Sequence, residues 1–395
     1  MEAQGTSGWH NLPVEIQDFI LHKVVQHETE PVSWLMDVVL PFVCSTWRER
    51  RTFWKNKNVT GMVEKDIVCN TAAILGSIPL MEWLISLGYS MTTHHFTSAA
   101  QAGHLEFLKW ARENGCCGDK DTCASAAEGN QLEVLKWLRE NDVPWDSYTC
   151  SYAAKAGNLE VLKWARENGC AIAADSCSQA AGGGHLEVLK WLREHDSPWG
   201  ESTCSQATKA GNLELLKWAR ENGCPWDYTT CTDAAFYGNF EILKWATENG
   251  CPWQADVEME ISTCTVAARK GNLEVLKWAR ENGCPWDESA CTSAADGGNL
   301  EVLKWLRENG CPWDADACSA AARGGHLEML KWLRENGCPW DELTCHSAAR
   351  EGHLEILKWA RENGCPWGKR TCEGAAFGGH LEVLKWAREN GCSWD

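Results

Sequence analysis

The sequence predicts an all-α solenoid, in which a small N-terminal helical segment precedes a long array of helical hairpins. One observation is the run Gly298 to Asp314, GNLEVLKWLRENGCPWD, which returns almost unchanged along the chain. Another is the constant 27-residue step of the Lys-Trp dipeptide inside it, because a fixed period of this size indicates stacked repeats. The third is the helical spacing of the apolar residues in each copy. One elongated body is therefore expected, whose units touch only their neighbours.

The array is predicted over residues 66–395, in about twelve units. One interval between Lys-Trp dipeptides is longer, at 33 residues, and Trp83 fits the register in a degenerate copy. These tryptophans are predicted to fill the core between units. The Lys-Trp tryptophans are Trp110, Trp137, Trp164, Trp191, Trp218, Trp245, Trp278, Trp305, Trp332, Trp359 and Trp386.

Each unit is predicted to hold two helices. The first, around Ala290 to Gly297, is rich in small residues and ends at a glycine pair. Asn299 is a suitable N-cap for the second helix, which Gly310 ends. The apolar face of that second helix comprises Leu300, Val302, Leu303, Trp305 and Leu306.

Net charge limits the partners. The formal charge of −18 should repel phosphates and anionic membranes, and there is no dense cluster of Lys and Arg. No stretch of 18 apolar residues and no N-terminal signal-like run is found. We therefore expect no nucleic-acid partner, no membrane partner and an intracellular, cytoplasmic location.

The 22 cysteines fall in two repeat columns, which start at Cys69 and Cys116, with few exceptions. We interpret them as small buried hydrophobes, because a chain of this length can build a core without disulfides. Their spacing does not match a metal site such as C-x₂-C. A dozen near-identical copies also argue against one catalytic constellation. We expect no metal, no cofactor and no enzymatic activity.

Residues 1–54 differ in composition from the array. The pattern Leu-Pro-x-Glu-Ile, followed about 30 residues later by Val-Cys-x-x-Trp, resembles an F-box. F-boxes are helical segments that dock on the adaptor subunit of cullin-type ubiquitin ligases. The alternative is a helical cap that covers the apolar end of the array. The residues that carry the resemblance, and that it implies for adaptor binding, are Leu12, Pro13, Glu15, Ile16, Ile20, Val43, Cys44 and Trp47.

The array resembles ankyrin repeats. Ala348-Ala349, Gly352-His353-Leu354 and Gly364 fall on columns of that pattern. An ankyrin unit has about 33 residues, so six are missing here, from the β-turn hairpin between units. The one long interval has its extra residues in that loop, around Gln254 to Ile261.

A second series of tryptophans follows proline in most inter-unit loops. Two interpretations stay open: each ring packs over the next unit and replaces hairpin contacts, or the rings form a part-exposed ladder that anchors a partner. The series is Trp145, Trp199, Trp226, Trp253, Trp286, Trp313, Trp340, Trp367 and Trp394.

The positions that vary between units are candidates for specificity. The ankyrin resemblance implies that the first helix and the loop line a concave, protein-binding surface. We expect Phe236 and Tyr237 to be the main anchors for a protein target. The full set of predicted target-binding residues is Tyr152, Lys155, Lys209, Phe236, Tyr237, Arg269, Arg323, Arg350 and Phe377.

Together, the two resemblances imply a substrate-recruiting subunit of a ubiquitin ligase, similar to the F-box and ankyrin proteins of giant viruses. Residues 12 to 47 would bind the ligase adaptor and the array would hold the target, in a host cell if the chain is viral. The competing hypothesis is a non-enzymatic scaffold in which the N-terminal helices only cap the stack.

Overall fold

The computed structural model describes residues 61–253 and 262–392, and side chains from residue 68 onward. The described residues form 24 α-helices and no strand, arranged as twelve successive pairs. This confirms the predicted all-α helical repeat solenoid. The F-box-like residues Leu12 to Trp47, the extra loop residues Gln254 to Ile261, and Trp394 lie outside the described residues.

The first helix of each pair has an odd number and the second has an even number. The first helices are α1 (Gly61–Ile74), α3 (Thr93–Ala102), α5 (Lys120–Glu128), α7 (Ser147–Ala156), α9 (Ser176–Gly182), α11 (Glu201–Lys209), α13 (Tyr228–Tyr237), α15 (Thr263–Lys270), α17 (Glu288–Asp296), α19 (Ala315–Arg323), α21 (Glu342–Arg350) and α23 (Lys369–Phe377). The second helices are α2 (Ile78–Ser86), α4 (Leu105–Glu113), α6 (Leu132–Glu140), α8 (Leu159–Glu167), α10 (Leu186–Glu194), α12 (Leu213–Glu221), α14 (Phe240–Glu248), α16 (Leu273–Glu281), α18 (Leu300–Glu308), α20 (Leu327–Glu335), α22 (Leu354–Glu362) and α24 (Leu381–Glu389).

The chain divides into two compact units. Among the described residues, the first unit holds 61–180 and 187–197, and the second holds 181–186 and 198–392. Within each unit, apart from α9, which is divided between the units, the first helix of a repeat packs against a neighbouring first helix and against its own second helix. Two helices thus form each repeating layer, as in other helical solenoids.

Small residues allow the first helices to pack closely. In α17, Ala290, Cys291, Ala294 and Ala295 are fully buried, and the equivalent Ala and Cys residues of the other described repeats are buried as well, except Ala376 in the last repeat. Asp287 caps this helix by accepting a hydrogen bond from the backbone N–H of Ser289. The Ala-Ala and Cys columns therefore form the interface between successive repeats.

The second helix buries a narrower stripe than the sequence suggests. Val302, Leu303 and Leu306 are buried in α18, whereas Trp305 is only half-buried. The prediction that the Lys-Trp tryptophans are core residues is therefore wrong in part, because the tryptophans of this series are all half-buried. Gly298 enters this helix with φ 74°, in the left-handed region that favours glycine.

No helix among the described residues combines the length and the apolar character that crossing a membrane requires.

Candidate functional site

The candidate site lies on the first helices, at the two positions that follow the Ala-Ala pair. In the helices from α11 to α23 of the second unit, we call these positions the first-helix strip. In α11, Ala-Thr stands in place of the Ala-Ala pair. The strip holds most of the predicted target-binding residues. Exposed large aromatic side chains are rare in the array, and three of them are here: Phe236, Tyr237 and Phe377 are 42%, 51% and 80% exposed.

At two places in the strip, on α13 and on α23, an aromatic ring is paired with a cation. At α13, Phe236 and Tyr237 meet edge to face with ring centroids 4.9 Å apart. The Lys270 ammonium of the next first helix lies 3.7 Å from the Phe236 ring centroid. At α23, the Arg350 guanidinium lies 5.1 Å from the ring centroid of Phe377. Both distances are in the range of cation–π attraction, which holds the exposed rings in place.

Two arginines share one carboxylate in the middle of the strip. Arg269 and Arg323 each place a nitrogen 2.8 Å from an oxygen of Asp296, on the first helix between them. The carboxylate side chain is 15% exposed, whereas the arginines are 63% and 55% exposed. One negative charge therefore orients two positive charges, and a net positive charge remains at the surface.

A shallow pocket adjoins Phe377. Its lining residues are His346, Arg350, Glu373, Gly374 and Phe377. A Cβ on Gly374 would come within 3.0 Å of the backbone oxygen and the ring of His346, so glycine permits the close approach of α23 to α21 here. The pocket thus combines an aromatic wall with cationic and anionic groups.

The remaining predicted residues do not all join this set. Lys209 is in the strip but is half-buried, with its ammonium 3.5 Å from Asp233. Tyr152 and Lys155 belong to α7 in the first unit, where the Lys155 ammonium lies 3.8 Å from a Glu128 oxygen. The sequence reasoning missed Tyr148, which is 53% exposed and lines a second pocket with Tyr152. Its position two residues after the N-cap Asp146 gave no sign of this exposure.

The loop tryptophans pack on the following repeat. Trp313 meets Trp332 at a centroid distance of 6.0 Å, and the Arg307 guanidinium lies 3.9 Å from the Trp313 ring centroid on its other side. Described loop tryptophans from Trp145 to Trp367 make such pairs at 5.6 to 6.0 Å. This geometry supports the packing interpretation. The rings remain half-buried, so their outer edges still line open grooves.

The column cysteines are free thiols in the repeat interfaces. Of the described cysteines, only Cys117 is exposed. Burial raises the pKa of Cys123 to about 12 and, with the neighbouring Cys117, that of Cys116 to about 11. The Cys311 thiol donates to the backbone oxygen of Asp287 at 3.2 Å, at the start of its own unit. These contacts are structural, and no group of three His, Cys, Asp or Glu side chains in the described ranges could hold a metal ion.

Side chains at the start of most second helices connect adjacent repeats. The sequence predicts Asn299 as an N-cap, and it occupies that position, but its side chain makes no cap hydrogen bond. Its amide instead donates to the backbone oxygens of Ala268 and Arg269, at 3.0 and 2.7 Å. In other repeats a histidine nitrogen takes this role, as between His353 and the Arg323 oxygen at 3.1 Å.

Part of the array matches a known sequence family. A sequence family described as ankyrin repeats (many copies) matches residues 264–307, 291–334 and 317–361. Among solved structures, the crystal structure of the human ASB11 ankyrin repeat domain is similar, with 18% identity and a TM-score of 0.35. That likeness covers 41% of this chain and 84% of the human domain. No curated protein matches.

The family match covers the part of the array that holds Arg269, Asp296, Arg323 and Arg350 of the first-helix strip. There, each repeat consists of two short antiparallel helices joined at a glycine turn, and the first helix carries the variable exposed residues. Residues 264–361 are therefore similar to ankyrin repeats, and the chain is an all-α helical repeat solenoid.

Proposed function

We propose that the array is a non-enzymatic interaction module that binds a protein target through its first-helix strip. The observation that carries this proposal is the exposure of Phe236, Tyr237 and Phe377 on helices whose other side is packed. Aromatic residues dominate the energy of protein interfaces. Ankyrin repeats bind protein partners, and the similarity of residues 264–361 to them supports the same role.

The experiment is affinity capture with the full chain, followed by identification of the bound protein. Changing Phe236 and Tyr237 together to alanine should reduce capture at least tenfold, because both rings lose their contact area. Circular dichroism must show unchanged helix content. The matched control is Lys304→Ala on a second helix, where the lysine forms an ion pair with Glu301 of its own helix. Equal capture by the double variant and the control would contradict the proposal.

We propose that residues 12 to 47 dock as an F-box on the adaptor subunit of a cullin-type ubiquitin ligase, so that the array presents its target for ubiquitin transfer. The support is the resemblance carried by residues such as Leu12, Pro13 and Trp47. An intracellular, cytoplasmic site of action follows from this role, as in the giant-virus proteins that share both segments.

The adaptor interaction has a direct test. The full chain should bind a purified ligase adaptor, and the double change Leu12→Ala with Pro13→Ala should remove that binding while target capture by the array is retained. If the unchanged chain does not bind the adaptor, the segment is only a cap, and the chain is an interaction scaffold without a ligase.

A further inference from the structure

The charge of the first-helix strip is opposite to that of the whole chain. The strip holds five basic residues and two acidic ones, whereas the full chain has a formal net charge of −18. One of the acidic residues, Asp296, is already occupied by two arginines. The other, Glu351, lies 3.9 Å from Arg350. The basic residues are Lys209, Arg269, Lys270, Arg323 and Arg350.

The net positive charge at these first-helix positions is found in the second unit and not in the described repeats of the first. At the same positions of the first unit, α3 and α5 carry Gln101 and Glu128, and only α7 carries a base, Lys155. Cations near a helix C-terminus are favoured by the helix dipole, which explains why these positions tolerate them. The dipole does not explain the exposed phenylalanines between and beside them, since burial would favour those rings.

The two exposed phenylalanines lie on either side of four of these basic residues, Arg269, Lys270, Arg323 and Arg350. Phe236 with Lys270 involves α13 and α15, and Phe377 with Arg350 involves α23 and α21. Packed helices lie about 8–10 Å apart, so the five steps from α13 to α23 span roughly 40–50 Å. An extended chain rises about 3.3 Å per residue, so a segment of about 12 to 15 residues covers this span.

We propose that the first-helix strip takes an extended acidic segment of the protein target, with an apolar side chain at each end and carboxylates between them. The end residues would contact Phe236 and Phe377, and the carboxylates would bind the exposed guanidinium groups of Arg269, Arg323 and Arg350. Arginine clusters are a recurring device for recognising acidic motifs. This inference rests on the proposed function and adds the chemical class of the partner.

A polynucleotide is also anionic but fits less well. Binding would bring a continuous phosphate backbone against an acidic protein, and only five basic residues are available along the strip. A peptide of limited length can keep its carboxylates within the strip. The structure therefore favours an acidic peptide over RNA or DNA.

The test uses the full chain and two synthetic peptides of 15 residues, labelled with fluorescein. One has tryptophan at each end and alternating glutamate and serine between; the other has lysine in place of glutamate. The glutamate peptide should bind at least tenfold more tightly at low salt, and its affinity should fall as the salt concentration rises. Equal binding of the two peptides, or no binding of the glutamate peptide, would overturn the proposal. So would tighter binding of a 15-nucleotide single-stranded RNA.

Charge reversal identifies the site. R323E combined with R350E should weaken binding of the glutamate peptide at least tenfold, and R323Q with R350Q should give an intermediate loss if reversal disturbs folding. The matched control is K304E with K331E, because these lysines lie on second helices next to Glu301 and Glu328. Undiminished binding by both arginine variants would rule out this strip.

The same variants separate the two proposals in target capture. If the Phe236 and Tyr237 double variant loses the captured target but R323E with R350E keeps it, the strip binds protein without acidic recognition, and only this inference fails. If neither variant affects capture, the proposed function fails as well.

Discussion

The side-chain amide of Asn299 donates a hydrogen bond of 2.7 Å to the backbone oxygen of Arg269, the penultimate residue of the first helix in the preceding repeat. The last carbonyl groups of a helix have no partner within it. Here the next repeat supplies the missing donor, 30 residues further along the chain. The bond therefore joins two repeats and satisfies a carbonyl group that has no partner within its own helix.

The first prediction concerns this bond. Asn299→Ala should lower the free energy of unfolding by about 1 kcal/mol, the typical loss when one partner of a hydrogen bond is removed. Asn299→His should be close to neutral, because His326 and His353 make the equivalent contact in other repeats. Urea unfolding of the three proteins measures both effects. Equal stability of the alanine variant and the unchanged chain would show that the bond contributes nothing.

The second prediction concerns Trp253. Among the described pairs of loop and second-helix tryptophans, it is the one whose preceding second helix has no arginine to lie over the loop ring. Thr247 stands where other repeats have arginine, next to the loop that holds Trp253. Thr247→Arg should place a guanidinium over that ring and stabilise the chain by about 0.5–1 kcal/mol. A higher unfolding midpoint supports this. Thr247→Gln is the control, since glutamine is a long polar side chain without the positive charge.

The third prediction concerns the removal of a loop tryptophan that already has an arginine beside it. Trp313→Ala removes a ring that fills the space between Arg307 and Trp332, and should cost about 2–3 kcal/mol, somewhat less than a fully buried tryptophan. Trp313→Phe should recover part of the loss. If both variants unfold at the same urea concentration as the unchanged chain, the loop ring does not hold the repeats together, and the ladder interpretation gains support.

The fourth prediction concerns thiol reactivity. A maleimide at pH 8 should label Cys117 quickly, while the other described cysteines react only through unfolding, because they are buried and the reagent cannot reach them. Peptide mapping by mass spectrometry identifies the labelled sites. Cys117→Ser removes the fast product from the described region, and urea should expose all 22 cysteines. Fast labelling of Cys123 in the native chain would contradict the burial seen here.

The fifth prediction follows from the raised pKa of Cys123, about 12 in the folded chain against 9.0 for an unperturbed thiol. The folded state keeps the thiol protonated, so above pH 9 the unfolded state releases a proton that the folded state retains. Stability from this source is complete below pH 9 and falls from there toward pH 12. Urea midpoints under reducing conditions should therefore drop between pH 8 and pH 10. Cys123→Ala should flatten the drop by at most about 1.4 kcal/mol per pH unit.

The repeat fold was predictable because its signals are local. Gly298 and Gly310 end helices through their own backbone freedom, and Val302, Leu303 and Leu306 follow the helical period within nine residues. The positions of the first-helix strip could also be found in the sequence, because residues such as Phe236, Arg269 and Arg323 differ from repeat to repeat while the surrounding repeat positions stay nearly the same.

Contacts between repeats were not predictable in the same way. The role of Asn299 depends on carbonyl groups from another repeat, and the local sequence shows only a residue suited to an N-cap. Periodicity places Trp305 on the apolar face of its helix. The structure places it at the margin of the buried stripe, where it contacts the ring of the loop residue Trp286. The exposure of Tyr148 likewise depends on which side of a short helix its neighbours cover.

The linking side chain at the start of each second helix has a consequence for evolution. In most repeats Asn or His at this position bonds to a backbone oxygen of the preceding repeat, so one such repeat can follow another without a new kind of contact. Duplication or loss of a 27-residue stretch of coding sequence among these repeats would preserve this contact. It would, however, lengthen or shorten the spacing between Phe236 and Phe377 if it fell between them. Changes in repeat number are thus a direct means of altering which ligand lengths the chain accepts.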